Sequence, residues 1–184
     1  FFLLLFLIFF LCVICAVFLI LYNILVRKEE GVNESWAQVG VYVQRKVDLI
    51  PALVQAVEGY AGHERSTLDE VINARNEAGK DLAQIEGTGS DKKEQLQRID
   101  HIQQLIGKGL GQIKALVERY PDLKANQNYT ALQDQIEETE DHIMKARKKF
   151  NQRVKGYNTS IRQFPYNILA SAGRFQAKQY FETE

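Results

Sequence analysis

The chain has few of the residues that interrupt helices and few that form disulfides. Its only three prolines are Pro51, Pro121 and Pro165, which favours long helices. No cysteine follows residue 26, so disulfides and thiolate metal sites are excluded from the rest of the chain. The net charge is zero, so composition gives no sign of nucleic-acid binding.

Charge is absent from the first 26 residues, and all 23 basic and 23 acidic side chains follow them. Residues 1–21 are apolar and would extend roughly 31 Å as a helix, which matches the hydrocarbon core of a bilayer. A cleaved signal peptide usually has a shorter apolar core and a cleavage site of small residues, and residues 19–23 offer no such site. We therefore predict a transmembrane helix over residues 1–26. Its membrane-facing side chains include Phe1, Phe6, Phe10, Phe18 and Leu21.

Cys12 and Cys15 both lie in this apolar segment. Their spacing is that of redox and metal motifs, but two small apolar side chains are the simpler interpretation in a lipid-facing helix. We predict no cofactor. A lone lipid-facing helix is rarely well ordered, so we infer neighbouring copies and predict a homo-oligomer.

A seven-residue apolar repeat follows the predicted span and is typical of helices that pack along a shared seam. The repeat comprises Trp36, Val43, Ile50, Val57, Val71, Ala78 and Ile85, with a companion set of Val47, Val54, Ala61, Leu68 and Leu82. It continues through Pro51 and through the two glycines at 59 and 62. The pattern leaves open whether residues 29–86 form one kinked helix or two.

Two more long helices are predicted. A break over residues 87–90, with Ser90 as N-cap, precedes a helix that ends at Tyr120. Within that helix, Gly107 and Gly111 indicate either close approach of another helix or local flexibility. The last long helix runs from about residue 126 to 161, and its acidic first half and basic second half complement the helix dipole. An aromatic tail over residues 163–184 could include a short amphipathic helix.

No catalytic constellation is visible. His63, His101 and His142 are isolated, and Glu138 and His142 are at the wrong spacing for a di-iron bundle and occur only once. We predict no catalytic residue and no metal site. Arg75 and Arg147 lie on or beside the apolar seams, so we expect them to form partly buried ion pairs that set helix register. Their predicted partners are Glu64 and Glu140.

The chain resembles the LemA family in several motifs spread along its length. They include Glu34 to Trp36, Gln44 to Val54, Gly59 to Glu64, Glu118 to Asn126, Ala146-Arg147, Tyr157-Asn158 and Phe164-Pro165. The match departs from the family at Phe150-Asn151, where Tyr-Asn is frequent, and in the glycine-rich stretch 107–111.

The resemblance implies an all-α protein with an N-terminal transmembrane helix and an antiparallel up-and-down bundle of the four-helix type over residues 27–162. It implies no enzyme activity and no cofactor, and it favours two helices within residues 29–86. The basic end of the last helix would then return to the bilayer. Residues expected at the membrane surface are Arg27, Lys28, Lys148, Lys149, Arg153 and Lys155.

One relative in that family is tied to the making of organelle membranes, so a self-associating scaffold that organises or shapes membrane is the leading functional hypothesis. A membrane-tethered module that recruits a protein partner, such as a membrane protease or envelope protein, is the alternative. The basic residues after the span place the soluble domain in the cytoplasm by the positive-inside rule. The expected partners are the lipid bilayer and further copies of the chain, with no nucleic acid.

Overall fold

The computed structural model describes residues 1–87 and 92–181, and these form helices with no strand. The six helices are α1 (Phe2–Ala61), α2 (Arg65–Gly87), α3 (Lys92–Val117), α4 (Pro121–Lys124), α5 (Gln127–Ser160) and α6 (Tyr166–Ala172). The predicted all-α class with a long apolar N-terminal helix is confirmed. The predicted N-cap at Ser90 lies outside the described residues.

Helix α1 continues from the apolar segment into the charged part of the chain without a break. Pro51 lies inside it and does not end it. The helix ends at Ala61, whose carbonyl accepts a hydrogen bond from the Glu64 amide over 2.9 Å. Helix α2 begins at the next residue, Arg65. Residues 29–86 therefore belong to two helices, and the first of them is continuous with the predicted span.

The chain divides into two compact units. The terminal unit comprises Phe1–Trp36 and Lys148–Glu184, and the central unit comprises Ala37–Arg147. Helices α1 and α5 contribute to both units. In the terminal unit, Lys28 contacts Ser160 and Trp36 contacts Phe150, so the two helices are antiparallel there.

The central unit has an aliphatic core built from the predicted seams. Its buried positions include Val43, Val47, Ile50, Val54, Val57, Ala61, Leu68, Val71, Ala78 and Leu82. Helix α2 packs on α3, and Asp81 pairs with Arg98 while Glu70 pairs with Gln112, which makes them antiparallel. Repeating apolar positions one or two turns apart bring one face of each helix into this core.

One of the two roles predicted for Gly107 and Gly111, close approach of another helix, is contradicted, and local flexibility stays a prediction. A Cβ atom at either position would meet nothing within 4 Å, so close helix approach there is wrong. The close approach is at Gly109, where a Cβ would lie 3.4 Å from Cγ1 of Val71 on α2. Gly109 belongs to the buried face of α3, whereas the two neighbouring glycines are exposed.

Candidate functional site

The apolar segment of α1 is uncovered over residues 1–20. Phe1 is 92% exposed, and Phe6, Phe10 and Phe18 are also exposed, while Leu21 is half-buried. Among the described residues, α1 is the helix that is long and apolar enough to cross a membrane. A soluble protein rarely leaves such a large apolar surface in water. The segment is a candidate transmembrane helix, and it fits a membrane protein.

The six residues predicted at the membrane surface all lie in the terminal unit, and all are exposed. The Lys28 ammonium donates to the Ser160 hydroxyl over 2.6 Å. The Arg153 guanidinium lies against Gly31, where a Cβ atom would come 3.6 Å from Nη1. The basic end of α5 therefore runs beside the part of α1 that directly follows the apolar segment.

The chain after α6 reverses direction in a crowded turn. Gly173 caps α6, and Arg174 follows with a positive φ of 56°. A Cβ atom on Gly173 would come within 2.7 Å of the Phe175 ring, so this position needs glycine. The Phe175 ring then contacts Tyr22 edge to face at 5.6 Å. Phe175, where the extended part of the tail begins, is thereby level with the end of the apolar segment.

Two asparagines of α5 hold the backbone of the tail beyond this turn. The Asn158 amide donates to the Lys178 carbonyl over 2.8 Å and accepts from the Lys178 amide over 2.9 Å. The Asn151 side-chain amide donates to the Phe181 carbonyl over 3.1 Å and accepts from the Phe181 backbone amide over 2.9 Å. Each asparagine thus pairs with both backbone groups of one tail residue, as a neighbouring β-strand would.

Side chains on α1 and α5 complete the surface that holds the tail. Phe181 is buried, and its ring lies 5.8 Å from that of Trp36 and 5.3 Å from that of Phe150. The Lys178 ammonium pairs with the Glu29 carboxylate at 2.6 Å. We call this surface the tail groove; it comprises Glu29, Trp36, Phe150, Asn151, Tyr157 and Asn158.

Tyr157 forms the buried floor of the tail groove. The Lys178 ammonium lies 5.8 Å from the centre of its ring, within the range of a cation–π contact. Its hydroxyl is buried and has no hydrogen-bond partner among the described residues. Burial raises the pKa of Tyr157 to about 12, and the negative charge of Glu29 adds to the effect. The phenol is therefore neutral across the physiological range.

A buried lysine pairs with a partly exposed carboxylate in the central unit. Lys46 on α1 is 5% exposed, and its ammonium pairs with the Glu140 carboxylate on α5. The same ammonium donates to Oε1 of Gln103 on α3 over 3.1 Å. Lys46 therefore joins α1 to α3 and α5 inside the central unit.

The predicted arginines form ion pairs, but with partners other than Glu64 and Glu140. Arg75 lies 3.5 Å from Asp48, and Arg147 lies 2.7 Å from Asp100. Glu64 pairs instead with Arg119 at 2.8 Å. The proposed pairings are wrong because both carboxylates have other partners: Glu64 pairs with Arg119 just beyond α3, and Glu140 pairs with Lys46 on α1. Whether these pairs set helix register remains a prediction.

The histidines are placed apart from one another. The His101 ring lies 2.8 Å from Asp81, and His142 stacks on Tyr42 with the ring centres 4.9 Å apart. Glu138 is 3.6 Å from His142. Across residues 1–87 and 92–181, no three His, Cys, Asp or Glu residues are grouped so that they could hold a metal ion.

The tail groove was missed by the sequence analysis, although the chain carries a signal for it. Phe150-Asn151 and Tyr157-Asn158 repeat an aromatic–asparagine pair after seven residues, or about two helical turns. In both pairs the aromatic residue is buried in the core and the asparagine turns to the tail. The repeat therefore marks the two asparagines whose side chains bind the backbone of the tail.

Comparison with known proteins identifies relatives along almost the whole chain. The family model described as LemA family matches residues 35–184. Magnetosome protein MamQ 2 of Paramagnetospirillum magneticum is 27% identical over 186 residues, covering 91% of this chain and 66% of its own length. Magnetosome protein MamQ of Magnetospirillum gryphiswaldense is 27% identical over 179 residues, covering 87% and 64%.

Protein LemA of Metamycoplasma hominis is 24% identical over 148 residues, which is 80% of this chain and 63% of that protein. The chain thus spans about two thirds of the length of the curated relatives that it matches.

Proposed function

Since the chain belongs to the LemA family, we propose that it is a single-pass membrane protein whose copies associate through the span and the helical bundle to organise or shape the bilayer. The protein performs no catalysis in this proposal. Its helical domain lies on the cytoplasmic side, because Arg27 and Lys28 directly follow the apolar segment.

The observation that carries this proposal is the continuity of α1. The exposed apolar segment leads without a break into Leu25 and Val32, which are fully buried in the terminal unit. A tether for a freely moving domain would have a flexible linker at this point. A continuous helix instead fixes the orientation of the terminal unit relative to the bilayer, as a scaffold requires.

The charge of the terminal unit supports contact with lipid headgroups. Arg153 and Ser160 of α5 lie beside Gly31 and Lys28, close to the end of the apolar segment. Each exposed basic side chain at an anionic membrane surface contributes about 1 kcal/mol of binding. Phe164 and Ile168 are also exposed near this end, at 79% and 50%, and suit the apolar part of the interface.

The relatives also support a role at a membrane, since several carry the name magnetosome protein. The family and its relatives are not named for a catalysed reaction.

The proposal is tested by counting copies of the intact chain in lipid bilayers. We expect single-molecule photobleaching in nanodiscs or supported bilayers to show more than one copy per particle, with the number rising with surface density. A single copy at every density would contradict self-association.

The role of the basic residues is tested by charge reversal. Lys148→Glu, Lys149→Glu and Lys155→Glu together should abolish the preference of the protein for anionic over neutral lipid neighbours, measured by quenching with labelled lipids. The matched control reverses three exposed lysines of the central unit, Lys80, Lys108 and Lys124. Equal effects of the two sets would overturn the assignment of the lipid-facing surface.

A further inference from the structure

The tail groove recognises the backbone of an extended segment. Asn151 and Asn158 are seven residues apart on α5, which corresponds to about 10.5 Å along a helix. Their tail partners, Phe181 and Lys178, are three residues apart, or about 10 Å in an extended chain. The two spacings match, so both asparagines can pair with one straight peptide that runs antiparallel to the helix.

The same groove also distinguishes side chains. Glu29 pairs with a lysine, and the Trp36 and Phe150 rings enclose an aromatic side chain three residues later. Tyr180, between them, is exposed. Its hydroxyl accepts one long hydrogen bond from the Asn158 amide, at 3.4 Å. The ligand class is therefore an extended peptide with lysine at one position and an aromatic residue three positions on.

The turn that brings the chain's own tail into the groove is strained. Arg174 has a φ of 56°, a left-handed conformation that costs a non-glycine residue about 1 kcal/mol. A short hinge under strain favours exchange of the segment beyond it between identical chains, since the exchanged contacts are the same and the hinge relaxes.

A second copy in the same membrane presents its tail at a matching height. The Phe175 ring contacts Tyr22, at the end of the apolar segment. Copies inserted with the same orientation have this position at the same depth, so each tail lies level with the tail groove of its neighbour.

Resting on the self-association proposed above, we propose that the tail groove is a peptide-binding site that takes the Lys178–Phe181 segment of a second copy in exchange for the chain's own. The groove then links copies at the membrane surface. The chain's own tail, held at a high effective concentration, keeps it closed when copies are sparse.

Two variants with complementary defects test this exchange. A groove donor ends at Arg174 and has an open groove without a tail. A tail donor carries Asn151→Ala and Asn158→Ala and has a tail without its backbone partners. Both are made as membrane-inserted chains with different tags, and circular dichroism at 222 nm checks that each keeps its helix content.

We expect the two variants to associate with each other in nanodiscs by energy transfer, at least tenfold more than either variant associates with itself. A mixture that associates no more than the separate variants would overturn the proposal.

Specificity is tested with a labelled peptide of residues 174–181. It should bind the groove donor and not the intact chain, whose groove is filled. A peptide with Lys178→Glu should bind about tenfold more weakly, and Glu29→Lys in the groove donor should restore its binding. Equal binding of both peptides would contradict recognition of Lys178 by Glu29.

A measurement on the intact chain does not depend on how the variants fold. A photo-crosslinking residue in place of the exposed Tyr180 should form crosslinks within one chain at low surface density and between chains at high density. Crosslinks that stay within one chain at every density overturn the exchange.

The outcomes separate this inference from the proposed function. If the chain assembles equally well after deletion of residues 175–184, the proposed self-association stands and exchange of the tail is not its cause. If the intact chain is monomeric at every density but the complementary variants associate, the proposed self-association is wrong and the groove is still a peptide-binding site.

Discussion

The terminal and central units both use α1 and α5, but different side chains hold these helices in the two places. In the central unit the interior is mainly aliphatic, and an ion pair from the buried Lys46 to the partly exposed Glu140 joins the helices. In the terminal unit the rings of Trp36, Phe150 and Phe181 pack against one another.

The two units also differ in the groups that make their long-range contacts, which are two side chains in the central unit and a side chain with the backbone in the terminal unit. The Lys46–Glu140 pair joins side chain to side chain, so a change in either residue breaks it. Asn151 and Asn158 join side chain to backbone, so their hydrogen bonds do not depend on the side chains of Phe181 and Lys178. The central unit is thus held by specific side-chain pairs, whereas the terminal unit holds a segment that we propose can be exchanged.

Removal of Glu140 should give the largest effect on the central unit. Glu140→Ala leaves the buried Lys46 ammonium with the Gln103 oxygen as its acceptor. Because the Glu140 side chain is 41% exposed, the expected loss in the free energy of unfolding is about 2 kcal/mol, below that for a fully buried pair. Chemical denaturation of the detergent-solubilised chain would measure the loss.

The matched control for that change is Glu138→Ala, in the same helix, whose side chain is 62% exposed. It should cost less than about 0.5 kcal/mol. Replacing both Lys46 and Glu140 with methionine should recover most of the stability, because no charge is then buried unpaired. Equal losses for Glu140→Ala and Glu138→Ala would show that the Lys46–Glu140 pair does not distinguish the central unit.

Tyr157 provides a smaller, pH-dependent test of the terminal unit. Its pKa is about 12 in the folded chain, against an ordinary value of 10.0. Above pH 10 the unfolded state therefore loses the phenol proton while the folded state keeps it, so stability falls as pH rises. The slope approaches about 1.4 kcal/mol per pH unit between the two values and is absent below pH 10.

Tyr157→Phe removes the titrating group and should flatten this part of the stability curve. Urea denaturation at a series of pH values from 9 to about 12 would compare the variant with the wild type. Parallel curves for the two proteins would mean that burial of the phenol does not contribute to the alkaline loss.

The smallest expected effect is a gain in stability on α3. Gly107→Ala and Gly111→Ala place a methyl group where nothing lies within 4 Å, so each should stabilise the helix by about 0.5–1 kcal/mol. Gly109→Ala is the comparison, since its methyl group would make an ordinary van der Waals contact with Val71 at 3.4 Å and should gain at least as much. Thermal unfolding of the three variants would measure the difference, and a loss of stability for Gly109→Ala would contradict the fit of a methyl group at the α2–α3 contact.

Periodic features were predictable because they depend only on local geometry. The apolar segment, the seam positions from Val43 to Leu82 and the passage of the helix through Pro51 all follow from the spacing of residues along one chain. The partner of a charged residue depends on which helices become neighbours. For that reason Arg75 was assigned to Glu64, whereas it lies beside Asp48.

The tail shows the same division most clearly. Its aromatic residues were noted, and a helix was considered for it, but the helix extends only over Tyr166–Ala172. The following residues lie along α5, held by Asn151 and Asn158. The repeated aromatic–asparagine pair was present in the sequence, but a polar residue beside a seam usually faces solvent, and its partners were 20 and 30 residues away.

The division of this protein into an uncharged apolar rod and a charged helical domain is visible in the sequence, because helix length and apolar periodicity are properties of consecutive residues. The pairing of the buried Lys46 with Glu140 and the placement of the tail in a groove became visible in the folded chain. Those contacts join residues far apart in the chain, and their energies exist only once the helices have packed.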